Sequence, residues 1–223
     1  MDSKIKAFII MFNRLTPAKA MAEYMSDTGC EVILIDNNST YPPLLEWYKT
    51  CPYKVHRLYK NYKAFDFWKY NRLKHYPCKN YIVTDPDLQI NHIPEDYIEI
   101  LFKGLNANPT VGKAGFSLEI NDLPDNPITK KVIEWEKRMW DSATDENGFY
   151  KSDVATTFAL YDRDRVVENL YSGIRSPRPY TAKHLDWYYT EETIKNDPEA
   201  LFYLNTTAHK GWLYEWKGIL SQK

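Results

Sequence analysis

Apolar and polar positions follow two rhythms in the first hundred residues. Short apolar runs alternate with segments whose apolar residues recur every three or four positions. The run over Ile5–Phe12, broken only by Lys6, predicts a strand covered on both faces. Glu31–Ile35, Lys54–Leu58 and Tyr81–Thr84 predict a second, third and fourth strand. Thr16-Pro17 predicts a helix start, with Thr as N-cap and Pro at the first helical position, running to about Ser26 before Gly29. Pro42-Pro43 leads into a short helix near Leu44–Thr50. Phe65, Trp68, Arg72 and Leu73 are spaced for a helix over Ala64–His75, and Pro94-Glu95-Asp96 opens one running to about Leu105. Strands separated by helices imply a mostly parallel sheet with right-handed crossovers, an α/β fold.

The second half is less regular. Val111–Glu119 and Val154–Tyr161 read as strands, Ile128–Trp140 as an amphipathic helix, and Ser142–Tyr150 as a polar stretch. Ser172–Tyr180, with Gly173, Pro177 and Pro179, reads as a loop near the site. No repeat or linker stands out. The expected organisation is one domain over 1–223, with a nucleotide-binding half at 1–105 and an acceptor half at 106–223.

Composition narrows the classes. The net charge of -1 gives no support for broad binding to nucleic acid. Three scattered cysteines, Cys30, Cys51 and Cys78, without a CxxC pair point to a reducing compartment. The six apolar residues Ala7 to Phe12 fall short of a signal peptide core and of the roughly 20 residues of a membrane span. The expectation is a soluble, cytoplasmic protein without membrane insertion. Aromatic residues make up 15% of the chain, with 18 Tyr and 7 Trp. Sugar C–H faces stack on such rings, but any single ring is first expected in the core.

In parallel sheets ligands bind beyond the carboxyl ends of the strands. Three polar groups gather there by prediction: Asn13-Arg14, Asp36-Asn37-Asn38 and Asp85-Pro86-Asp87. Asp85 and Asp87, stiffened by Pro86, form a hard-oxygen pair suited to a divalent cation bound to a diphosphate. The same tripeptide can also be a plain strand-ending turn. A divalent ion there acts as a Lewis acid on the departing phosphate oxygen.

The order of elements resembles the GT-A fold of nucleotide-sugar-dependent glycosyltransferases. Ile9-Ile10-Met11-Phe12-Asn13-Arg14 resembles that group's first strand and turn. Val32–Thr40, with Asp36-Asn37-Asn38-Ser39-Thr40, resembles its second strand and Asp-x-x-Ser-Thr ending, and Asn61 and Asn71 ahead of Asp85-Pro86-Asp87 echo the spaced asparagines before its DxD motif. The likeness covers about residues 5–105. The chain also resembles, more faintly, the small glycosyltransferase domains of large algal viruses.

The resemblance implies a transferase that moves a hexose or deoxyhexose from a UDP-sugar donor to a glycan acceptor with Mn2+ (or Mg2+). Asp36 would accept the imide N–H of uracil, unless it caps the strand end as an Asx turn. Asn13 and Arg14 would lie near base and ribose, Asp85 near the ribose or the metal, and Asp87 on the metal. Inverting transfer needs a base for the acceptor hydroxyl. Asp186 in His184-Leu185-Asp186-Trp187 lies at the family's usual distance, although Leu185 stands where Glu is common. Asp186 can instead cap a helix over Trp187–Lys195 or be a surface acid, and Asp153 is the reserve base. His209 is a candidate extra metal ligand or a structural His, and Lys210 a phosphate contact. Lys63 and Arg72 can meet phosphate or be solvated helix charges.

Asn13-Arg14-Leu15-Thr16-Pro17 superficially matches the sugar nucleotidyltransferase signature, but no Gly occurs before Gly29 to let backbone N–H groups cradle a triphosphate. Walker and GxGxxG loops are absent too. Too few acids and histidines surround the pair for a two-metal nuclease or phosphatase. A catalytically decayed carbohydrate-binding module on the same fold is the alternative.

Overall fold

A computed structural model describes residues 4–62, 66–69, 72–165 and 172–221. The four strands expected in the first half are β1 (Lys6–Met11), β2 (Glu31–Asp36), β3 (Lys54–Arg57) and β4 (Asn80–Thr84). They pair in parallel in the order β3-β2-β1-β4. The side chains of β1, β2 and β4 alternate between two cores, which is why those runs are apolar. Ala7, Ile9, Met11, Val32 and Leu34 enter one core with Ala18, Met21, Ala22 and Met25 of α1 (Thr16–Asp27). Phe8, Ile10, Ile33 and Ile35 enter the other with Tyr76, Tyr81 and Phe67. Phe67 lies on α3 (Asp66–Lys69), which follows α2 (Pro42–Trp47) in the chain. Phe8 meets Phe67 at 5.1 Å and Tyr76 at 5.2 Å between ring centres, so these rings fill the core as expected.

The second half extends this sheet. The full order is β3-β2-β1-β4-β8-β6-β9, adding β6 (Lys113–Gly115), β8 (Ala159–Asp162) and β9 (Ile174–Arg175). Only β8 runs against the rest, pairing antiparallel with β4 and β6. Tyr81 and Tyr161 face each other in register and stack at 5.2 Å. A small second sheet joins β5 (Leu88–Gln89), β10 (Thr181–His184) and β7 (Ser117–Leu118) in the order β5-β10-β7. Helices α4 (Tyr97–Ala107) and α5 (Pro127–Trp140) follow β5 and β7, and α6 (Glu191–Lys195), α7 (Pro198–Thr206) and α8 (Glu215–Leu220) close the chain. The result is the α/β architecture expected, a mostly parallel sheet with flanking helices. No helix among the described residues is long and apolar enough to cross a membrane.

Several local expectations shift. Thr16 is the first residue of α1 and not its cap; its N–H and hydroxyl both donate to Glu199, each at 3.0 Å from Oε2. Pro94 and Glu95 precede α4 instead of forming its first turn, and the Asp96 carboxylate accepts the Tyr180 hydroxyl at 2.9 Å. The single strand expected over Val111–Glu119 divides at Phe116 into β6 and β7, which serve different sheets. The strand over Val154–Tyr161 begins only at Ala159, and the expected loop over Ser172–Tyr180 contributes the edge strand β9. The helix expected over Ala64–His75 is represented by α3 and a 3-10 turn at Arg72–His75; residues 63–65 and 70–71 lie outside the described part.

Candidate active site

The acid pair sits where β4 leaves the sheet. Beyond Asp87 the chain enters β5, which pairs antiparallel with β10 so that Leu88 faces His184. The pairing is extended by the Leu185 N–H, which donates to the Asp87 carbonyl at 2.8 Å. This register carries Asp186 to Asp87 across about a hundred residues of chain. Asp186 stands in a 3-10 turn, Leu185–Tyr188, and is 8% exposed, so it is neither a surface acid nor the cap of the next helix. That cap is Thr190, on α6.

Arg14 completes the cluster, since β1 lies beside β4. Its Nη1 donates to Asp186 Oδ1 at 2.7 Å, with side-chain exposures of 5% and 9%. Its Nε lies 3.5 Å from Glu199 Oε1, and the guanidinium carbon stands 5.5 Å from the centre of the Tyr203 ring. His184 stacks on Trp187 with 4.8 Å between ring centres, and its Nδ1 lies 3.6 Å from Asp87 Oδ2. Thr156 donates its hydroxyl to Asp85 Oδ2 at 2.8 Å.

These contacts set the protonation of the cluster. Burial, then the charges of Asp87 and Asp186, push Asp85 well above the usual carboxylate range, against the Thr156 hydrogen bond. Burial also works against charge on Asp87, but His184, Arg14 and a hydrogen bond shared with Asp186 outweigh it and hold Asp87 low. Burial raises Asp186 to about 6; Arg14 and His184 pull it down and Asp87 pushes it up. Burial disfavours the Arg14 charge, yet Asp186 and Asp87 raise its pKa above the ordinary value. Three carboxylates thus crowd one corner and repel one another.

The donor chemistry of this corner suits a hard divalent cation. Carboxylate oxygens are its preferred ligands, and an ion there would offset the burial and the neighbouring charges that raise Asp85. The Asp87 side chain keeps 13% exposure, while the buried Arg14 Nε, His184 Nδ1 and Trp187 Nε1 around it have no hydrogen-bond partner among the described residues. Among those residues no three His, Cys, Asp or Glu side chains are arranged as a ready protein cage. Asp85 and Asp87 suit an ion that also draws ligand oxygens from phosphate.

The other sequence-predicted residues fall in different places. Asn13, at φ 52° and fully buried, is a clamp: Oδ1 accepts the N–H groups of Thr40 at 2.6 Å and Tyr41 at 2.9 Å, and Nδ2 donates to Thr206 Oγ1 at 2.8 Å. Asp36 has 0% side-chain exposure and accepts from Tyr48 Oη at 3.0 Å, Arg57 Nε at 3.0 Å and the Ser39 N–H at 3.2 Å. Asp153 is exposed in a cleft of about 310 Å3 beside β9, with Asn108, Lys151 and Ser172, and does not join the acid cluster. His209 and Lys210 are exposed on the loop after α7, and among the described residues neither hydrogen-bonds or pairs with the acids. Lys63 and the side chain of Arg72 lie outside the described part.

Sequence reasoning missed His184, Thr156 and Arg57. His184 stands in the quoted His-Leu-Asp-Trp motif, so its position was a usable signal. Thr156 had none, because only the β4–β8 pairing brings it to Asp85.

The sequence matches no protein-family model and no curated protein. Among solved structures, the chain is similar to Staphylococcus aureus TarS residues 1–349, at 13% identity over 93% of this chain and 67% of that one, with a TM-score of 0.47. It is also similar to a CMP:2-keto-3-deoxy-manno-octonic acid synthetase complexed with CTP, at 11% identity over 73% and 75% of the two chains, with a TM-score of 0.43. A third likeness is to 4-diphosphocytidyl-2C-methyl-D-erythritol synthase from Anaerococcus prevotii, at 10% identity over 71% of each chain, with a TM-score of 0.35. Likenesses this distant leave function to be argued from the site's own residues.

Proposed function

We propose that the chain is a metal-dependent glycosyltransferase that moves a sugar, a hexose or deoxyhexose, from a nucleoside diphosphate donor, UDP-sugar first among them, to a glycan hydroxyl. The observation that carries this reading is the meeting of Asp85, Asp87 and Asp186 with Arg14 at the carboxyl end of β4. Asp87 and Asp85 would hold Mn2+ or Mg2+, which supplies charge stabilisation to the leaving diphosphate. The intact acid cluster speaks against a decayed binding module.

The chain's own residues do the rest. Arg14 is buried under the acids; it orients Asp186 and balances part of their charge. Asp186 is the base of an inverting transfer. One oxygen is held by Arg14; the other, once the proton shared with Asp87 is gone, would take the proton of the acceptor hydroxyl. His184, stacked on Trp187, joins Arg14 in holding Asp87 low against burial.

The test uses purified protein with UDP-sugars, saccharide acceptors and Mn2+. Asp87→Asn is expected to lower turnover about a hundredfold or more, because lost Lewis-acid stabilisation is worth several kcal/mol. Asp186→Asn is expected to abolish transfer while UDP-sugar still binds. Near-normal turnover in Asp87→Asn, or a product that retains the donor's anomeric configuration, overturns the assignments of metal ligand and base respectively.

A further inference from the structure

A second group of ligand-competent side chains stands at the same edge of the sheet, on β3. Arg57 ends β3 in register with Asp36. Its Nε donates to Asp36 Oδ2 at 3.0 Å and its Nη2 to the Ser39 carbonyl at 2.9 Å. These bonds fix the guanidinium plane, yet the side chain stays 46% exposed, and Nη1 has no partner among the described residues. Asp36 beneath it is fully enclosed and already accepts three donors, so it presents no oxygen to a ligand N–H. Two residues on, Tyr59 is 79% exposed, the most exposed large hydrophobic side chain among those described. Its ring meets Tyr62 edge-on at 5.5 Å, and the Tyr62 N–H is tied to Asn37 Oδ1 at 3.2 Å. The exposed ring is therefore anchored to the end of β2.

We propose that Arg57 and Tyr59 form the base-reading site for the donor nucleotide: the Tyr59 ring stacks on the base and Arg57 donates to a base carbonyl oxygen. Asp36 is then a positioning residue for Arg57. The inference rests on the nucleotide-sugar reading above and names the group that selects the nucleotide. The geometry suits that role. β3 and β4 are three strand spacings apart, about 14 Å. Less the reach of the side chains at each end, that is the span of a nucleoside diphosphate with its phosphates at Asp85 and Asp87. A guanidinium only donates, so it matches the carbonyl oxygens of uracil. Adenine has no carbonyl; it accepts only at ring nitrogens, N7 lying beside its amino donor.

The experiment measures binding of UDP and ADP, each with Mn2+, by calorimetry on the full chain and on Arg57→Ala, Tyr59→Ala and Tyr59→Phe. The wild type is expected to prefer UDP. Arg57→Ala should weaken UDP about tenfold to a hundredfold and ADP little, so that the preference collapses. Tyr59→Ala should weaken both about tenfold or more, and Tyr59→Phe neither. Tyr59 is so exposed that its variants test the site even if Arg57→Ala fails to fold. Equal UDP and ADP affinity in the wild type, an unchanged preference in Arg57→Ala, or unchanged binding in Tyr59→Ala overturns the base site and leaves the transferase reading standing. Failure of the wild type to bind either nucleotide overturns both the base site and UDP-sugar as the donor.

Discussion

Arg14 and Asp186 come from opposite ends of the chain, and a double-mutant cycle on them tests whether the candidate site is built as described. The pair is 2.7 Å apart with side-chain exposures of 5% and 9%, so water screens it little. Arg14→Met removes the guanidinium and leaves Asp186 and Asp87 facing each other without their shared cation. A buried pair broken from one side costs about 3–5 kcal/mol. Asp186→Asn keeps shape and an acceptor oxygen and removes one of the repelling charges, so about 1–2 kcal/mol is expected. In the double variant Arg14 is no longer missed by Asp186, and the cost should fall short of the sum by about 2 kcal/mol. Urea unfolding at pH 7.5, without divalent metal, reads all four corners from the midpoint at constant slope. For a chain this long the Arg14→Met cost corresponds to a melting shift of very roughly 6–20 °C. Additivity within about 0.5 kcal/mol, or a cost below about 1 kcal/mol for Arg14→Met, would show that the pair is not the buried couple described and would remove the reason for Asp186 to face Asp87.

Two further predictions concern the scaffold. Lys113 is fully buried on β6, its ammonium donating to the Val154 carbonyl, and burial, then Arg175, lowers its pKa to about 7 against the pull of Asp153. Between pH 7 and 10 the unfolded chain binds a proton there that the folded chain does not, so stability should rise with pH across that window, at up to about 1.4 kcal/mol per pH unit. Lys113→Met should flatten the rise in urea midpoints between pH 7 and 9.5, and an equal rise in that variant would assign the effect elsewhere. In α4, a Cβ at Gly104 would lie 2.6 Å from Cζ of the fully buried Phe149. Gly104→Ala should therefore destabilise by about 1–3 kcal/mol in thermal unfolding despite the better helix former, and a raised melting temperature would contradict that packing.

The first half of the chain was legible because its signals are local. A strand buried on both faces must be apolar along its buried length, and Ala7–Met11 within β1 and Val32–Ile35 within β2 carry that mark in the sequence. The acid pair after Tyr81–Thr84 was legible for the same reason, since a turn at a strand's carboxyl end needs no distant partner to be recognised. The capping error at Thr16 shows the limit. Its residue type suits a cap, but Glu199, distant in sequence, takes its N–H and hydroxyl instead. Val111–Glu119 reads as one strand because apolar content does not record that the chain leaves one sheet for another at Phe116.

By itself, then, the sequence determined where the four parallel strands β1 to β4 lie, that helices separate them, and that Asp85 and Asp87 follow the fourth. Only the tertiary structure decided what those acids meet. The β5–β10 register brings Asp186 and His184 to Asp87, and the β1–β4 adjacency brings Arg14 beneath them. It also enclosed Asp36 and Asn13 as braces and left Arg57 and Tyr59 exposed in their neighbourhood. The physical reason is that burial and charge are properties of surroundings: the same carboxylate is a ligand, a base or a brace according to the donors that folding sets around it.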